Sequence, residues 1–440
     1  MLVHSRKRLF WFITAILVLT QAVCFAEPAA RAGHAKSEPF YLKDGDRVVF
    51  YGDSITDQRQ YTTYIETYCV TRFPKSHFTF VHSGWGGDRV TGGGGGPIDV
   101  RIKRDILPYK PTVITICLGM NDGSYRAFDQ GIYDTYIKGY RHILDTLKTE
   151  LPTARITLLT APAYDDITRA PGFPGGYNAT LVKYGAGVAD LAKEYKCTLA
   201  DTNAPLVAAL GEAKSADAEL ASKFIPDRVH PGHGGHMIMA AAVLKAWNAP
   251  AVVADIDIDA GRMRVASANG TKVRGLKRTT SGLAFTHTDS ALPWPLDRDP
   301  ARDKDMLLAL KVTDYESTLN RCMLTVHGLA DGKYALKVDG TEVAQTTGQA
   351  LGAGLDLAAI PELPINKQAS EVLALTRKHN DLHFKRWRQV QFPVSKNNEA
   401  VPADVKAQMD DLDKQDAEAA EQQHEAAMPK PHTIEIIPIL

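Results

Sequence analysis

The chain of 440 residues has no excess of either charge, because 51 lysines and arginines balance 51 aspartates and glutamates. This balance argues against a nucleic-acid-binding protein, which carries a basic excess to displace phosphate counterions. The hydrophobic fraction of 44% is too high for a disordered chain, and the 34 glycines follow no G-X-Y period, which excludes collagen. The composition therefore indicates a globular protein of two or three domains.

Long hydrophobic runs are scarce. The one run that approaches the ~20 residues needed to span a bilayer covers residues 9–23, after a basic start. A basic start, an apolar middle and a small residue at the end predict a signal peptide over residues 1–26, cleaved after Ala26. An uncleaved anchor is the alternative, and a lipidated Cys24 fits less well. We expect a secreted or periplasmic protein with a linker over residues 27–40 and no stable membrane insertion after cleavage.

Cysteine is also scarce and widely spaced. Four of the five cysteines would remain after cleavage: Cys69, Cys117, Cys197 and Cys322. Because they include no C-x-x-C pair, the sequence favours neither a zinc ribbon nor a disulfide-stapled miniature. Cys117 lies in an apolar run and is interpreted as a small core residue. The sequence allows one disulfide without assigning its partners.

Motifs for cofactors are missing. The glycine-rich segment after Gly84 has Arg89 where a dinucleotide fingerprint requires its third glycine, and no G-x-x-x-x-G-K occurs. His230, His233 and His236 lie close together, but no Asp, Glu or Cys set with ligand spacing accompanies them. We therefore predict no cofactor and no metal.

What is present is an alternation of strands and helices up to about Pro250. Five short apolar runs predict strands covered on both faces: Arg47–Tyr51, Phe78–Val81, Val113–Leu118, Ile156–Thr160 and Thr198–Ala200. Two amphipathic helices are predicted between them, with one face formed by Ile137, Tyr140, Leu144, Leu147 and Leu151 and the other by Leu181, Tyr184, Val188, Leu191 and Tyr195. This alternation predicts a doubly wound, mainly parallel sheet, whose ligands bind at the carboxyl ends of the strands.

After Pro250 the pattern changes to short, alternating runs separated by turn signals such as Asp339-Gly340, where a hairpin is predicted. Residues 403–427 predict a solvated or poorly packed helix, and residues 433–438 predict a last strand. We therefore divide the mature chain into an N-terminal region, residues 41–250, and a C-terminal region, residues 251–440. The second is expected to be β-rich with helices.

Four polar segments follow predicted strands or precede a helix. Ser54 follows the first strand in a Gly-Asp-Ser turn, and Asp227 lies three residues before His230 ahead of an apolar helix. An aspartate at this spacing can bond the imidazole and leave its other nitrogen free to accept a proton from a serine. A glycine in the segment after the second strand and Asn121 after the third offer amide donors for a developing oxyanion. Each segment alone is also compatible with a plain cap or turn.

In this order, the four segments resemble the SGNH hydrolases, also called the GDSL esterase and lipase family, and the resemblance spans residues 47–247. It implies a three-layer α/β/α, flavodoxin-like fold and a serine esterase. Ser54 would be the nucleophile, His230 the general base and Asp227 its partner. The oxyanion hole would comprise the amides of Ser54 and Gly87 and the side chain of Asn121. The glycine run over residues 92–96 leaves the shape of one wall open.

The substrate is expected to be a small-molecule or glycan ester, first of all the O-acetyl ester of a carbohydrate. The loop over residues 163–177 mixes polar and aromatic side chains that suit a sugar, although a solvated connection explains it equally well. Trp85 could stack on a sugar or pack beneath the site. There are two alternatives: a lipid or short-chain acyl esterase, and a non-catalytic glycan-binding protein. No nucleic-acid partner is expected, and the sequence does not indicate an oligomeric state.

Overall fold

The computed structural model describes residues 38–280 and 282–439, so the predicted signal peptide and most of the predicted linker lie outside the described residues. Pro39 and the residues after it belong to one folded unit. Across the two described ranges, every helix is too short or too polar to cross a membrane.

The N-terminal region alternates strands with helices, as predicted. Its strands are β1 (Arg47–Gly52), β2 (Thr79–Gly84), β3 (Gly92–Gly93), β4 (Gly96–Pro97), β5 (Val113–Cys117), β6 (Arg155–Leu159) and β7 (Thr198–Ala200). Its helices are α1 (Ser54–Asp57), α2 (Gln60–Arg72), α3 (Ile98–Asp105), α4 (Gln130–Glu150), α5 (Gly176–Tyr195), α6 (Ala204–Ala216), α7 (Ala218–Ala221) and α8 (His233–Ala246). A 3-10 turn covers Leu107–Tyr109.

Five strands form one parallel sheet in the order β2-β1-β5-β6-β7. Alternate residues of β1 point to opposite faces, so Val48 and Phe50 join a core with α2 and α8, whereas Val49 and Tyr51 join a second core with α3, α4 and α5. Both faces are covered, which explains the continuous apolar runs. The predicted three-layer α/β/α fold is confirmed.

The apolar faces predicted for α4 and α5 lie against the sheet. The middle of each predicted series is fully buried; both ends of the first series, Ile137 and Leu151, and the last member of the second, Tyr195, are half-buried. The buried members are Tyr140, Leu144 and Leu147 in α4 and Leu181, Tyr184, Val188 and Leu191 in α5. The 3.6-residue period therefore identified the packed face correctly.

The C-terminal region is a two-sheet structure with helices. Its strands are β8 (Val252–Asp259), β9 (Arg264–Asn269), β10 (Thr271–Thr279), β11 (Gly282–Asp289), β12 (Arg321–His327), β13 (Lys333–Val338), β14 (Thr341–Thr347), β15 (Leu355–Asp356) and β16 (His432–Pro438). One sheet has the order β10-β11-β16-β13-β14 and the other β15-β12-β8-β9. Apolar side chains from both sheets share one core, so the predicted β-rich region is confirmed.

The helices of this region are α9 (Lys304–Val312), α10 (Tyr315–Leu319), α11 (Gly348–Ala353), α12 (Pro364–Phe384) and α13 (Ala403–Ala426), with a 3-10 turn at Leu357–Ala359 and a π-helical segment at Lys385–Gln391. The helix predicted over residues 403–427 is present as α13, and one of its faces packs on α12. Asp339 and Gly340 both have positive φ and close the β13–β14 hairpin as a two-residue turn.

A buried ionic cluster joins the two regions. Glu66 on α2 pairs with His379 on α12, which also pairs with Asp416 on α13 at 2.9 Å, and Gln423 donates to Glu66 at 2.9 Å. Burial alone would lower the pKa of His379, but the two carboxylates outweigh it and raise that pKa to about 10. Burial would likewise raise the pKa of Glu66, but His379 and His82 lower it to about 2. The cluster is therefore held as an ion pair at neutral pH.

The cysteines in the described residues are all free: Cys69, Cys117, Cys197 and Cys322. Cys117 is fully buried, as predicted for a core residue. Burial raises the pKa of its thiol well above the ordinary value, so the thiol stays protonated.

Candidate active site

Ser54 begins α1 directly after β1 ends at Gly52. Asp53 lies between them and caps the helix, because its carboxylate accepts a hydrogen bond from the amide of Ile55 at 3.0 Å. A Cβ on Gly52 would lie 2.6 Å from the carbonyl oxygen of Cys117, so only glycine fits this strand end. The serine is consequently held at the carboxyl edge of the sheet.

Ser54, His230 and Asp227 form one hydrogen-bonded chain, although the serine and the histidine are 176 residues apart. His230 Nε2 lies 2.8 Å from Ser54 Oγ, and His230 Nδ1 lies 2.6 Å from Asp227 Oδ2. The other carboxylate oxygen of Asp227 accepts the backbone amides of Val229 and His230 at 2.9 and 2.7 Å. The chain is arranged so that the serine hydroxyl can transfer its proton to the imidazole.

Electrostatics favour a charged Asp227. Burial would raise the pKa of Asp227, but the hydrogen bonds from the backbone and ring of His230 outweigh it and hold the pKa below the ordinary value. In contrast, burial raises the pKa of Asp53 to about 8 and that of Asp122 to about 7. Asp227 is therefore the carboxylate suited to stabilise a protonated His230.

The segments with Gly87 and Asn121 leave the sheet beside Ser54. Gly52 is in register with Gly84 on one side and with Cys117 on the other, so the three strands end side by side. Gly87 is exposed, has φ +76°, and would place a Cβ in open space. The structure thus brings both predicted amide donors to the edge that holds Ser54.

The amide orientation of Asn121 follows from its neighbours. Asn121 Nδ2 donates to the carbonyl oxygen of Asp88 at 3.0 Å, and a carbonyl can only accept. The hydroxyl of Tyr125 then donates to Asn121 Oδ1 at 2.8 Å. One of the two N–H groups of the amide is therefore engaged by Asp88, which leaves the second for a ligand.

Two supporting residues, Tyr125 and Arg388, were missed by the sequence analysis. The guanidinium of Arg388 lies 3.2 Å from the Trp85 ring centroid and pairs with Asp57 at 3.1 Å. Asp57, one helical turn after Ser54, also accepts the amide of Gly86 at 3.2 Å. Arg388 belongs to the C-terminal region, and no local pattern near the motif residues could have indicated it.

The burial of Trp85 and of the polar side chains in the loop over residues 163–177 shows whether they can contact a ligand. Trp85 is 6% exposed and packs beneath the site, so it offers no face for a sugar. In the loop over residues 163–177, Asp165 is fully buried and pairs with Arg169, which also donates to the carbonyl oxygen of Pro226. These polar groups therefore join the loop to the segment that carries Asp227 and do not face a ligand.

The three clustered histidines have separate partners. His233 contacts Asp303 at 3.2 Å and His236 contacts Gln58 at 2.8 Å, whereas His230 contacts Ser54 and Asp227. Within the described residues, no group of three or more His, Cys, Asp or Glu side chains is placed to hold a metal ion. The glycine run forms the β3–β4 hairpin beside Trp85.

Comparisons with known proteins agree with this geometry. Residues 50–238 match the model of the GDSL-like lipase and acylhydrolase family. This segment is a GDSL-like domain. An acetylxylan esterase of Geobacillus stearothermophilus is 26% identical over 223 residues, which is 46% of this chain and 94% of that protein. The GDSL family comprises ester hydrolases, so the domain is one of an esterase type.

A solved structure extends the likeness beyond the GDSL domain. A gut microbial diltiazem-metabolizing enzyme is 25% identical, with a TM-score of 0.78, over 90% of this chain and 98% of its own. Because that coverage exceeds the length of the N-terminal region, the C-terminal region is part of the shared architecture. The acetylxylan esterase, in contrast, matches less than half of the chain.

Proposed function

We propose that this protein is an exported serine esterase that removes O-acetyl groups from a carbohydrate. The observation that carries the proposal is the hydrogen-bonded chain of Ser54, His230 and Asp227, with separations of 2.8 and 2.6 Å. The 26% identity to an acetylxylan esterase supports the choice of acetylated glycans. Export rests on the signal peptide predicted over residues 1–26.

In the proposed reaction, His230 takes the proton of Ser54 while the serine oxygen attacks the ester carbonyl. The resulting oxyanion accepts hydrogen bonds from the amides of Ser54 and Gly87 and from the side chain of Asn121. The bond between the carbonyl carbon and the sugar oxygen then breaks, His230 protonates that oxygen, and the acetyl group stays on Ser54. Water repeats the sequence to release acetate, and Asp227 stays ionised throughout to stabilise the imidazolium.

Covalent labelling and substitution at Ser54 test the mechanism. A fluorophosphonate should label Ser54, and Ser54→Ala should abolish both labelling and ester hydrolysis with an unchanged melting temperature. Ser215→Ala is a matched control, because Ser215 lies on α6 and its hydroxyl donates to the carbonyl of Gly211 on the same helix. Undiminished hydrolysis by Ser54→Ala would reject the mechanism, and a wild-type protein inert to the probe would favour a non-catalytic glycan-binding protein.

The pH dependence tests the role of His230. Its ring must be neutral to accept the serine proton, so kcat/KM should fall on acidification as the ring gains a proton. A profile that is flat through the acidic range, measured with a stable fold, would exclude His230 as the general base.

Substrate comparison separates the proposed glycan from the alternatives. Acetate release from acetylated xylooligosaccharides should exceed release from nitrophenyl esters of long acyl chains. Diltiazem carries one acetate ester and is a second test substrate, chosen because the similar solved structure is a diltiazem-metabolizing enzyme. Preference for long chains would favour a lipid esterase, and equal rates on every acetate would favour a short-chain esterase of broad specificity.

A further inference from the structure

Tyr125 is an exposed aromatic residue at the edge of the candidate active site. The residue is 42% exposed, although most of the other large apolar residues around the site are buried. Ser124 and Tyr125 have φ values of +55° and +54°, so two consecutive non-glycine residues adopt the left-handed conformation. This conformation is unfavourable for both residues and occurs preferentially at functional sites.

The hydroxyl of Tyr125 contacts the candidate oxyanion residue. It donates to Asn121 Oδ1 at 2.8 Å, on the side of the amide opposite the N–H groups. Donation to an amide oxygen polarises the amide, which makes its N–H groups stronger donors. The bond also fixes the plane of the amide, together with the contact from Nδ2 to the carbonyl of Asp88.

The ring of Tyr125 rests on two other tyrosines. Its centroid lies 5.1 Å from that of Tyr177 and 6.2 Å from that of Tyr164. Tyr177 is buried and donates to the carbonyl of Met120 at 2.7 Å, so the backing layer is held in place. Tyr125 itself is partly exposed to solvent, in contrast to Tyr177.

The tyrosine layer borders the Ser54–His230–Asp227 chain. The residue after Tyr164, Asp165, donates its backbone amide to the carbonyl of Arg228 at 3.0 Å, next to Asp227. Asn121 connects Tyr125 to the other side of the same site. A substrate whose carbonyl oxygen lies at the Asn121 amide would therefore have Tyr125 as a neighbour, because the two side chains are in contact.

We infer that Tyr125 has two functions in the proposed esterase: its hydroxyl positions the Asn121 amide, and its exposed ring binds the sugar ring that bears the acetyl group. A pyranose has an apolar C–H face and polar hydroxyl edges. An exposed aromatic ring with a polar tip suits such a ligand, because it supplies apolar contact without removing the hydroxyl edges from water. The inference rests on the proposed function and names the residue that recognises the substrate.

Two substitutions separate the hydroxyl from the ring. Tyr125→Phe removes only the hydroxyl and should lower kcat roughly two- to tenfold, the effect of one neutral hydrogen bond, with KM unchanged. Tyr125→Leu removes both and should also raise KM for acetylated xylooligosaccharides roughly three- to tenfold. Vinyl acetate has no ring, so Tyr125→Leu should leave its KM unchanged.

A double-mutant cycle tests the positioning role. If the hydroxyl acts through Asn121, Tyr125→Phe should have no further effect on kcat in an Asn121→Ala background. Tyr195→Phe is the matched control, because it also removes a hydroxyl bonded to a side chain, Asp145 at 2.7 Å, at the far end of α5. Melting temperatures of all variants separate these effects from a loss of folded protein.

The outcomes distinguish this inference from the proposed function. If Ser54→Ala is inactive but both Tyr125 variants match the wild type, the inference is rejected and the esterase remains. An equal rise in KM for the glycan and for vinyl acetate would reject the sugar-binding role. Additive effects of Tyr125→Phe and Asn121→Ala would reject the positioning role. Activity that persists in Ser54→Ala would reject the esterase mechanism itself.

Discussion

The two regions of the chain differ in what they contribute to the same site. The N-terminal region supplies every candidate reacting group, from Ser54 to His230, at the edge of one parallel sheet. The C-terminal region supplies none of these groups, but Arg388 stacks on Trp85 and pairs with Asp57 beneath them. The comparison shows that the candidate reacting residues and the residues that support them can come from different regions of the chain.

The largest expected effect comes from removing the C-terminal region. A chain ending at Pro250 would lack His379 and Gln423, the partners of Glu66, and it would expose the surface of α2 that α12 covers. We expect little soluble folded protein and no ester hydrolysis, measured by circular dichroism and turnover. A chain from Pro39 to Leu440 is the control and should be active. A folded, active chain ending at Pro250 would show that the two regions are independent.

Within the N-terminal region, Asn121→Ala should lower kcat by about 10²–10³, the usual loss for one oxyanion donor. KM should change little, because the donor acts when charge develops on the carbonyl oxygen. The control is Asn397→Ala, which removes a surface asparagine that bonds Glu399 at 3.0 Å. An effect on KM alone would make Asn121 a substrate-binding residue.

At the junction of the regions, His379→Ala should destabilise the fold by about 3–5 kcal/mol, because it leaves the buried Glu66 carboxylate without its main partner. The stabilisation from His379 is complete below its ordinary pKa of 6.5 and is lost as pH rises towards 10. The stabilisation from Glu66 is complete above its ordinary pKa of 4.5 and is lost as pH falls towards 2.

Urea unfolding checks this prediction. The difference between wild type and His379→Ala should be greatest between pH 4.5 and 6.5 and should shrink in more alkaline solution. His327→Ala, which removes a side chain that is 55% exposed, should change the unfolding free energy little at any pH. A difference independent of pH would show that packing, and not the ion pair, holds the regions together.

The smallest effect is expected from Arg388→Gln. Losing the stack on Trp85 and the pair with Asp57 should loosen the loop that presents Gly87 and lower kcat roughly two- to tenfold. Arg388→Lys keeps the charge without the planar stack and should be intermediate. The control is Arg386→Gln. Arg386 lies on the same π-helical segment as Arg388 and pairs with Asp413 on α13. Equal kcat in Arg388→Gln and wild type would limit the C-terminal region to a role in stability.

The sequence predicted best where structure follows from short-range pattern. Continuous apolar runs identified β1 and β5, because both faces of these strands are buried. The 3.6-residue period identified α4 and α5, because one face of each helix is buried. The motif residues Ser54 and His230 could be paired only through the family resemblance. The order of their segments, and no property of either segment alone, carried that prediction.

Other features could not be predicted, since they depend on contacts between distant segments. Tyr125 contacts Asn121 from a turn in which Ser124 and Tyr125 have positive φ. Neither residue is a glycine, so the sequence did not indicate this backbone conformation. Arg388 and His379 act through partners more than 300 positions away. The polar side chains of the loop over residues 163–177 looked available for a ligand, but Asp165 and Arg169 bond each other and the neighbouring loop.

The placement of β16 also constrains the order in which the chain can assemble during synthesis. This strand is the central member of its sheet and pairs with β11 on one side and β13 on the other, yet it comes after all four other strands of that sheet in the sequence. Without β16, the β10–β11 and β13–β14 hairpins each have one strand, β11 or β13, whose backbone groups lack their partner on one side. Such unpaired strand edges are sites for aggregation. The residues up to Pro438 must therefore be synthesised before this sheet can close.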